Sequence, residues 1–219
     1  MDTASPAVDE FGTLIDVLLA GDHAAALAET QRLIQAGHPA EKIVTAGLET
    51  AMRRLDDKCT VESFNLLEIM LVGRAVSAVV HELYPEGVPP ENSRGTLIVA
   101  TLEGDVHDLG KNIVKMVLIG KVYRVVDLGR DCPVATLVAA TAREAASGVL
   151  ISGLISSIVP QVRRVRPALR THGLGSVWVV AGGAALKQCA AADLDVDYVA
   201  ENAFDGARYI EARFTGATP

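Results

Sequence analysis

The spacing of apolar residues divides the chain into two parts with different patterns. Over the first 85 residues apolar positions recur at the three- and four-residue intervals of amphipathic helices, without a convincing β pattern. Breaks at Gly21, at residues 37–39 and at the polar stretch 56–60 divide this part into segments. The pattern predicts a bundle of four helices, over residues 6–19, 22–36, 39–57 and 65–84.

A segment rich in proline and glycine follows the predicted bundle. The sequence PEGVPPENSRG comes directly after Tyr84 and contains three prolines and two glycines. This composition cannot continue a helix and suits a semi-rigid linker. We therefore predict a helical domain over residues 1–88 and a second domain over 89–219.

After the linker, short β-rich apolar runs alternate with segments of helical length. The runs are apolar on both faces, which indicates a parallel sheet covered by helices on both sides. Four helical segments lie between the runs and a fifth closes the chain. The predicted fold class is α/β, a doubly wound, five-stranded parallel sheet behind the helical bundle. Its strands are expected at residues 96–102, 123–129, 148–154, 176–183 and 197–201.

The composition excludes several classes of partner. Lys and Arg number 20 and Asp and Glu number 27, a net charge of −7, which disfavours nucleic acid and anionic membrane surfaces as partners. No apolar run reaches the ~18 residues of a transmembrane span, and the acidic N-terminus does not resemble a secretory signal. The three cysteines lack CxxC spacing. We expect a cytoplasmic protein.

Candidate chemistry follows the first strand. Ligands of doubly wound sheets bind at the carboxyl ends of the strands. His107 lies there, with Asp105 two residues before it and Gly110 three after. An aspartate that accepts a hydrogen bond from one imidazole nitrogen fixes the tautomer and raises the basicity of the other nitrogen, as a metal-ligating histidine requires. This spacing alone is a weak signal, since a loop histidine with capping aspartates also explains it.

Two further segments follow the third and fourth strands. Ser152 and Ser156 supply hydroxyls, and Gly182 and Gly183 allow a close approach of backbone to a ligand. Each segment also has an ordinary explanation, as a helix cap or as a strand-to-helix turn. Together with His107 they form an ordered set on successive strand ends.

This set resembles the cobalamin-binding domain of corrinoid-dependent methyltransferases. The resemblance is carried by GDVHDLGKNIV (104–114), SGLIS (152–156) and AGGA (181–184). The helical bundle and linker are similar to that family's cap domain, so the similarity covers nearly the whole chain. It implies a Rossmann- or flavodoxin-like sheet. It is strongest to the small corrinoid proteins of methylamine, methanol, betaine or methoxy-aromatic systems, and extends to the cobalamin module of methionine synthase.

The resemblance implies a cofactor and a set of site residues. The cofactor would be cobalamin, as methylcobalamin or cob(I)alamin, or a related corrinoid. His107 would be the lower axial ligand of cobalt, in place of the cofactor's dimethylbenzimidazole, and would be hydrogen-bonded by Asp105. The loop beneath the corrin would comprise Gly104, Val106, Asp108 and Leu109, with Gly110 leaving room for the nucleotide tail. The tail would be lined by Ser152, Leu154, Ser156, Gly182 and Gly183, with Glu201, Asn202 and Ala203 as further contacts.

Two positions depart from the family pattern. Many relatives carry Ser or Thr where this chain has Ile158, so we expect the hydrogen-bond relay to end at Asp105 or to continue through Ser157. Relatives often cover the upper cobalt face with a Phe-Leu-Pro-Glu-like segment, whereas this chain has residues 64–68 without the proline. The candidates for shielding are Phe64, Leu66 and Leu67.

Charged helix residues outside these motifs have ordinary explanations. Lys111 suits neutralisation of a cofactor phosphate or amide edge and equally a helix surface. The basic residues after the third strand are expected to form a solvated face, with docking to an acidic methyltransferase as the lesser alternative. They are Arg163, Arg164, Arg166 and Arg170.

The function implied by the resemblance is that of a methyl carrier. The protein would accept a methyl group from a substrate-specific methyltransferase and donate it to a second one, for example to tetrahydrofolate, with a reductive activase as a further partner. The chain cannot also hold a substrate barrel of ~250 residues, so it would be a non-autonomous subunit. The alternatives are a cobalamin-dependent sensor and a flavodoxin-like or phospho-receiver module without cobalamin.

Overall fold

The chain forms two compact units, Met1–Gly87 and Val88–Pro219. The structure, a computed structural model, describes residues 10–61, 65–89 and 92–216, with the backbone alone at 59–61. The predicted fold class is confirmed: helices precede a five-stranded parallel sheet with flanking helices.

The described part of the first unit is helical. Two of its helices begin at polar caps: Asp22 accepts a hydrogen bond from Ala25 N, and Asn65 accepts one from Glu68 N. A π-helical segment, Ile43–Leu48, joins two of them. The helices are α1 (Gly12–Leu19), α2 (His23–Gln35), α3 (Ala40–Lys42), α4 (Glu49–Val61) and α5 (Leu66–Leu83).

One helix boundary differs from the prediction. The polar stretch 56–60 was expected to end the third helix, yet α4 continues through it to Val61. The stretch contains neither glycine nor proline, and residues 56–58 are not buried, whereas Leu55 lies in the core. A polar run on the solvent side of a helix does not interrupt its backbone hydrogen bonds.

The second unit holds the sheet. All neighbouring strands pair in parallel, in the order β2-β1-β3-β4-β5. Thr101 aligns with Ser152, and Ser152 aligns with Gly182, so the carboxyl ends of the three central strands lie at one edge. The chain order reverses between β1 and β3, which is where such folds bind ligands. The strands are β1 (Thr96–Thr101), β2 (Arg124–Asp127), β3 (Gly148–Ser152), β4 (Trp178–Gly182) and β5 (Tyr198–Ala200).

Helices cover the sheet on both faces. The packing of α6 against α10, and of α7 against α8, places one pair on each face. The fourth segment predicted as a helix is wrong in length, because α9 is a single turn that the left-handed residue Asp195 ends. The helices are α6 (Leu109–Gly120), α7 (Val134–Arg143), α8 (Val159–Thr171), α9 (Ala191–Leu194) and α10 (Ala203–Thr215).

Candidate cofactor site

His107 lies in the loop that connects β1 to α6. We call residues 102–108 the His107 loop. The hydroxyl of the buried residue Thr101 holds this loop by donating a hydrogen bond to the backbone oxygen of His107 at 3.3 Å. The helix begins directly afterwards, with Asn112 N bonded to Asp108 O at 2.9 Å. The histidine is therefore placed between a fully buried strand end and the first turn of a helix.

The imidazole of His107 is fixed through one nitrogen. Nδ1 lies 2.6 Å from Asp105 Oδ1, and the backbone N–H of His107 donates to the same oxygen at 2.9 Å. The Asp105 side chain is fully buried, whereas the His107 side chain is 48% exposed. Within the described residues Nε2 has no hydrogen-bond partner. A carboxylate accepts the proton of Nδ1, so the neutral ring carries its lone pair at Nε2.

The second oxygen of Asp105 is bonded to the loop after β3. Oδ2 accepts from Leu154 N at 2.7 Å and from Ile155 N at 3.4 Å. Burial by itself raises the pKa of the Asp105 carboxyl, but the hydrogen bonds from His107, Leu154 and Ile155 outweigh it and hold the pKa below its usual 3.8. The carboxylate is thus charged at neutral pH.

The relay expected beyond Asp105 ends at backbone amides. Among the described residues no serine hydroxyl bonds to Asp105, so the alternative through Ser157 is wrong. Ile158 is fully buried against Gly153. An apolar residue there packs the loop and cannot pass on a proton.

The start of α6 approaches the end of β3 closely. A Cβ added to Gly110 would lie 2.7 Å from Ser152 Oγ. Ser152 is half-buried and Gly110 is exposed. A side chain at position 110 would therefore fill the space beside the serine hydroxyl.

The loops after β3 and β4 contact each other through glycines. Gly183 has φ +97°, and a Cβ there would lie 2.4 Å from Gly153 O. Gly153 N donates to Gly182 O at 2.9 Å, and Ala185 N donates to Gly153 O. Sequence analysis did not single out Gly153, although its place directly after a strand and beside Ser152 was a usable signal. The three glycines allow the two loops to pack closely, which larger residues would prevent.

The comparisons with known proteins identify the family. Residues 95–208 match the family model described as the B12 binding domain. The chain belongs to the corrinoid proteins with a B12-binding domain. It is 32% identical over 194 residues to dimethylamine corrinoid protein 2 of Methanosarcina mazei, covering 87% of this chain and 90% of the relative. It is 28% identical over 205 residues to monomethylamine corrinoid protein 2 of the same organism, covering 90% and 94%.

Two solved structures resemble the corrinoid protein described above. A methanol:cobalamin methyltransferase complex of Methanosarcina barkeri has a TM-score of 0.85 at 25% identity, covering 97% of this chain and 82% of that chain. A cobalamin-binding protein of Desulfitobacterium hafniense has a TM-score of 0.73 at 22% identity, covering 92% and 96%, and shows the shared fold. This chain is a cobalamin-binding corrinoid protein of a methyltransferase system.

The residues present fit a corrinoid. They offer one exposed imidazole with a free lone pair, which suits a metal whose equatorial positions a macrocycle already fills. In the described part of the chain, no group of three or more His, Cys, Asp or Glu side chains could hold a metal ion by itself. Exposed apolar residues lie in the two loops bonded through Asp105 and at the start of α6, and would face an apolar macrocycle edge. They are Val106, Leu109 and Leu154.

The remaining predicted site residues have local roles in the corrinoid protein. Gly104 N donates to Asp131 Oδ1 at 2.8 Å. Asn202 caps α10 by accepting from Asp205 N at 2.9 Å, between the exposed Glu201 and Ala203, the first residue of α10. Ser156 is exposed in a 3-10 turn after β3.

The three predicted shielding residues belong to the first unit. Leu66 and Leu67 lie in the first turn of α5, and both are exposed. Phe64 lies outside the described residues. Met70 and Leu71 extend the exposed apolar stretch by one turn.

Lys111 is neither free nor on the surface, so both expectations for it are wrong. The side chain is 2% exposed, and Nζ lies 2.7 Å and 2.8 Å from the two oxygens of Asp127 and 2.7 Å from Asn112 Oδ1. Burial raises the pKa of Asp127, but the hydrogen bonds from Lys111, Gly129 and Lys115 outweigh it and lower that pKa. The ion pair ties the first turn of α6 to the end of β2.

The prediction of a solvated basic face on α8 is wrong for Arg166. Arg166 is buried; it donates to Val177 O at 2.9 Å and pairs with Asp197. Arg163 donates to Asp193 O at 2.7 Å. These contacts join α8 to the segment before β5, so part of the basic stretch is structural.

No helix among the described residues is long and apolar enough to span a membrane.

Proposed function

We propose that this corrinoid protein is a methyl carrier that binds cobalamin with the dimethylbenzimidazole base displaced and His107 on cobalt. The observation that carries the proposal is the hydrogen bond between His107 Nδ1 and the buried Asp105; Nε2 has no partner within the part of the chain that the structure describes, and the side chain is about half exposed. When bound, the corrinoid supplies the cobalt that carries the methyl group.

The Asp105 carboxylate would tune the ligand. It holds the Nδ1 proton, orients the ring and increases the electron density at Nε2. The charged carboxylate beside Nδ1 would stabilise an imidazolium, so that release of Nε2 would be coupled to the uptake of a proton. The coupling of ligand release to proton uptake is therefore a property of this pair of side chains.

The displaced nucleotide tail would lie between the loops after β3 and β4. The hydroxyls of Ser152 and Ser156 would supply hydrogen bonds, and Gly153, Gly182 and Gly183 let the two loops approach each other closely. Gly110 would keep the opening beside Ser152 clear. At the end of β5, residues 201–203 would be further contacts.

The loop beneath the corrin and its cover come from different parts of the chain. Gly104, Val106, Asp108 and Leu109 would lie under the ring, next to His107. The helical domain, residues 1–88, would act as the cap of the cofactor domain, residues 89–219. Leu66 and Leu67 would supply its apolar cover because both are exposed on α5.

Two methyltransferases would use this site in turn. One would be a substrate:corrinoid methyltransferase that loads the methyl group, and the other would pass it to tetrahydrofolate or another acceptor. A reductive activase would restore the cobalt after oxidation. The printed names of the relatives, corrinoid proteins for dimethylamine and monomethylamine, support a methylamine system as the methyl source.

The test is a methyl-transfer assay. The cobalamin-loaded protein is incubated with methyltransferases for methylamines, methanol, betaine and methoxy-aromatic compounds, each with its substrate. We expect one of them to methylate the cofactor, and His107→Gly to reduce the rate. His172→Gly is the matched control, because His172 is an exposed histidine of the same unit bonded to Ala168 O on α8. Absence of transfer with every enzyme contradicts the carrier role.

A further inference from the structure

The segment that follows β2 runs beside the start of the His107 loop. Backbone hydrogen bonds with N···O distances of 2.9 to 3.1 Å join residues 129–132 to residues 101–105. They link Thr101 with Gly129, Thr101 and Glu103 with Cys132, and Asp105 with Asp131. Leu102 and Cys132 also form an isolated parallel bridge. The entry to the His107 loop is thus continued as a short two-stranded contact beyond the sheet.

Asp131 adds a side-chain bond to this contact. Its Oδ1 accepts from Gly104 N at 2.8 Å, while its own N–H donates to Asp105 O at 3.1 Å. Gly104 has φ +94° and Asp131 has φ +54°, so both lie in the left-handed region. A Cβ on Gly104 would meet nothing within 4 Å. The turn at Gly104 is closed by Asp105 N, which donates to Leu102 O at 3.1 Å, and the Asp131 carboxylate adds a second bond that holds it.

We infer that Asp131 is a positioning residue for His107, which acts by fixing the turn at Gly104. That turn immediately precedes Asp105, whose carboxylate orients the imidazole. A loop already held in its ligating conformation loses less conformational entropy when the histidine binds a metal. The inference rests on the proposed coordination of cobalt by His107.

Three variants distinguish the effect of the Asp131 carboxylate from the effect of its backbone conformation. Asp131→Gly removes the acceptor and keeps positive φ accessible, and Asp131→Asn keeps both an acceptor oxygen and tolerance of that φ. Asp195→Gly is the matched control, because Asp195 has φ +52° and ends α9, away from the His107 loop. Both glycine variants loosen the unfolded chain alike.

The readout is the electron paramagnetic resonance spectrum of the divalent cobalt form of the loaded full-length protein. Nitrogen splitting from His107 reports the ligated fraction, and the spectra are recorded at the pH where the wild type is half ligated. We expect Asp131→Gly to weaken ligation roughly tenfold, which lowers the ligated fraction from one half to about one tenth. Asp131→Asn and Asp195→Gly should stay near one half.

The outcomes for the positioning role and for the proposed function differ. An Asp131→Gly spectrum equal to that of the wild type, or an equal loss in Asp195→Gly, overturns the positioning role. A wild-type spectrum whose splitting persists in His107→Gly instead overturns the proposed coordination. Thermal unfolding of the apo forms shows whether both glycine variants remain folded under the conditions of measurement. If Asp131→Gly does not fold, Asp131→Ala replaces it in the comparison.

Discussion

His107 and Asp105 form a pair whose members differ in exposure. The carboxylate is fully buried and accepts bonds from two loops, while almost half of the imidazole faces solvent. A buried, charged aspartate is stable only because each oxygen accepts hydrogen bonds. The same bonds that stabilise the charge therefore orient the ring, so folding energy and ligand geometry depend on the same atoms.

The Asp105 carboxylate makes the stability of the fold depend on pH. Its pKa is lowered in the folded protein, so its contribution is complete above the unfolded value of about 3.9 and is lost as the pH falls through the folded pKa. We expect Asp105→Asn to lower the free energy of unfolding by about 2 kcal/mol at neutral pH. The difference from the wild type should shrink on acidification to about pH 3. Urea unfolding of the apo proteins at several pH values measures it; a constant difference contradicts this account.

Gly183 is the position where a side chain should be tolerated least. A Cβ there would meet Gly153 O at 2.4 Å, and the backbone has φ +97°. We expect Gly183→Ala to cost more than about 2 kcal/mol and to weaken cobalamin binding. Gly173→Ala is the control: its φ is +74° but nothing lies within 4 Å of the added atom. It should cost about 1 kcal/mol and leave binding unchanged. Equal effects of the two substitutions in unfolding and cofactor titrations would show that the contact does not matter.

At the scale of elements, α6 is tied to β2 by a buried ion pair. Lys111 Nζ lies within 2.8 Å of both oxygens of Asp127. The Asp127 carboxylate also pairs with Lys115 Nζ at 3.0 Å and accepts a hydrogen bond from the backbone N–H of Gly129. This network sits at the helix turn that follows His107 and at the strand end that precedes Asp131. It braces the His107 loop from its carboxyl side.

Removing both charges of this ion pair should cost less than the two single changes added together. We expect Asp127→Asn to destabilise the fold by about 3 kcal/mol, because the buried Lys111 charge loses its carboxylate, and Lys111→Met to destabilise it by less, because Asp127 keeps its bonds to Lys115 and Gly129 N. The double variant should lose less than the sum of the two. Chemical denaturation of the four proteins gives the coupling energy. Additive losses would show that the two side chains do not interact.

The elements were predictable where burial alone decides them. The five strands follow from runs that are apolar on both faces, and the structure places each of them within its predicted range. The charged helix residues were not predictable in this way, because their partners are distant in the chain. Asp127 is 16 residues from Lys111, and Asp197 is 31 residues from Arg166. A local pattern shows a lysine or arginine on a helix, but not the carboxylate that another loop brings to it.

The candidate cofactor site was predictable from the sequence to a similar extent. The spacing of Asp105 and His107 indicated their hydrogen bond, which is present at 2.6 Å. The anchoring of Asp105 by the amides of Leu154 and Ile155 was not predicted, since every residue has a backbone N–H and no side chain marks it. Gly153 and Asp131 were missed for the same reason: their role depends on which loop lies opposite.

At the scale of the whole molecule, all residues that hold the proposed site except the cover lie in the second unit. That unit has its own apolar core between the sheet and the helices. We expect the fragment 88–219 to fold alone and to bind cobalamin. A fragment 103–219, which lacks the central strand β1, should not fold. Circular dichroism and cobalamin titration distinguish the two; an unfolded 88–219 fragment contradicts the independence of the unit.

The central claim is a bond between His107 and cobalt, and isotope labelling tests it most directly. The full-length protein is labelled with 15N-histidine, loaded with cobalamin that carries its usual base, and reduced to the divalent form. We expect the nitrogen splitting of the electron paramagnetic resonance spectrum to change from triplet to doublet on labelling, and to disappear in His107→Gly. A triplet that persists in the labelled protein would show that dimethylbenzimidazole still coordinates the metal, and would contradict the account.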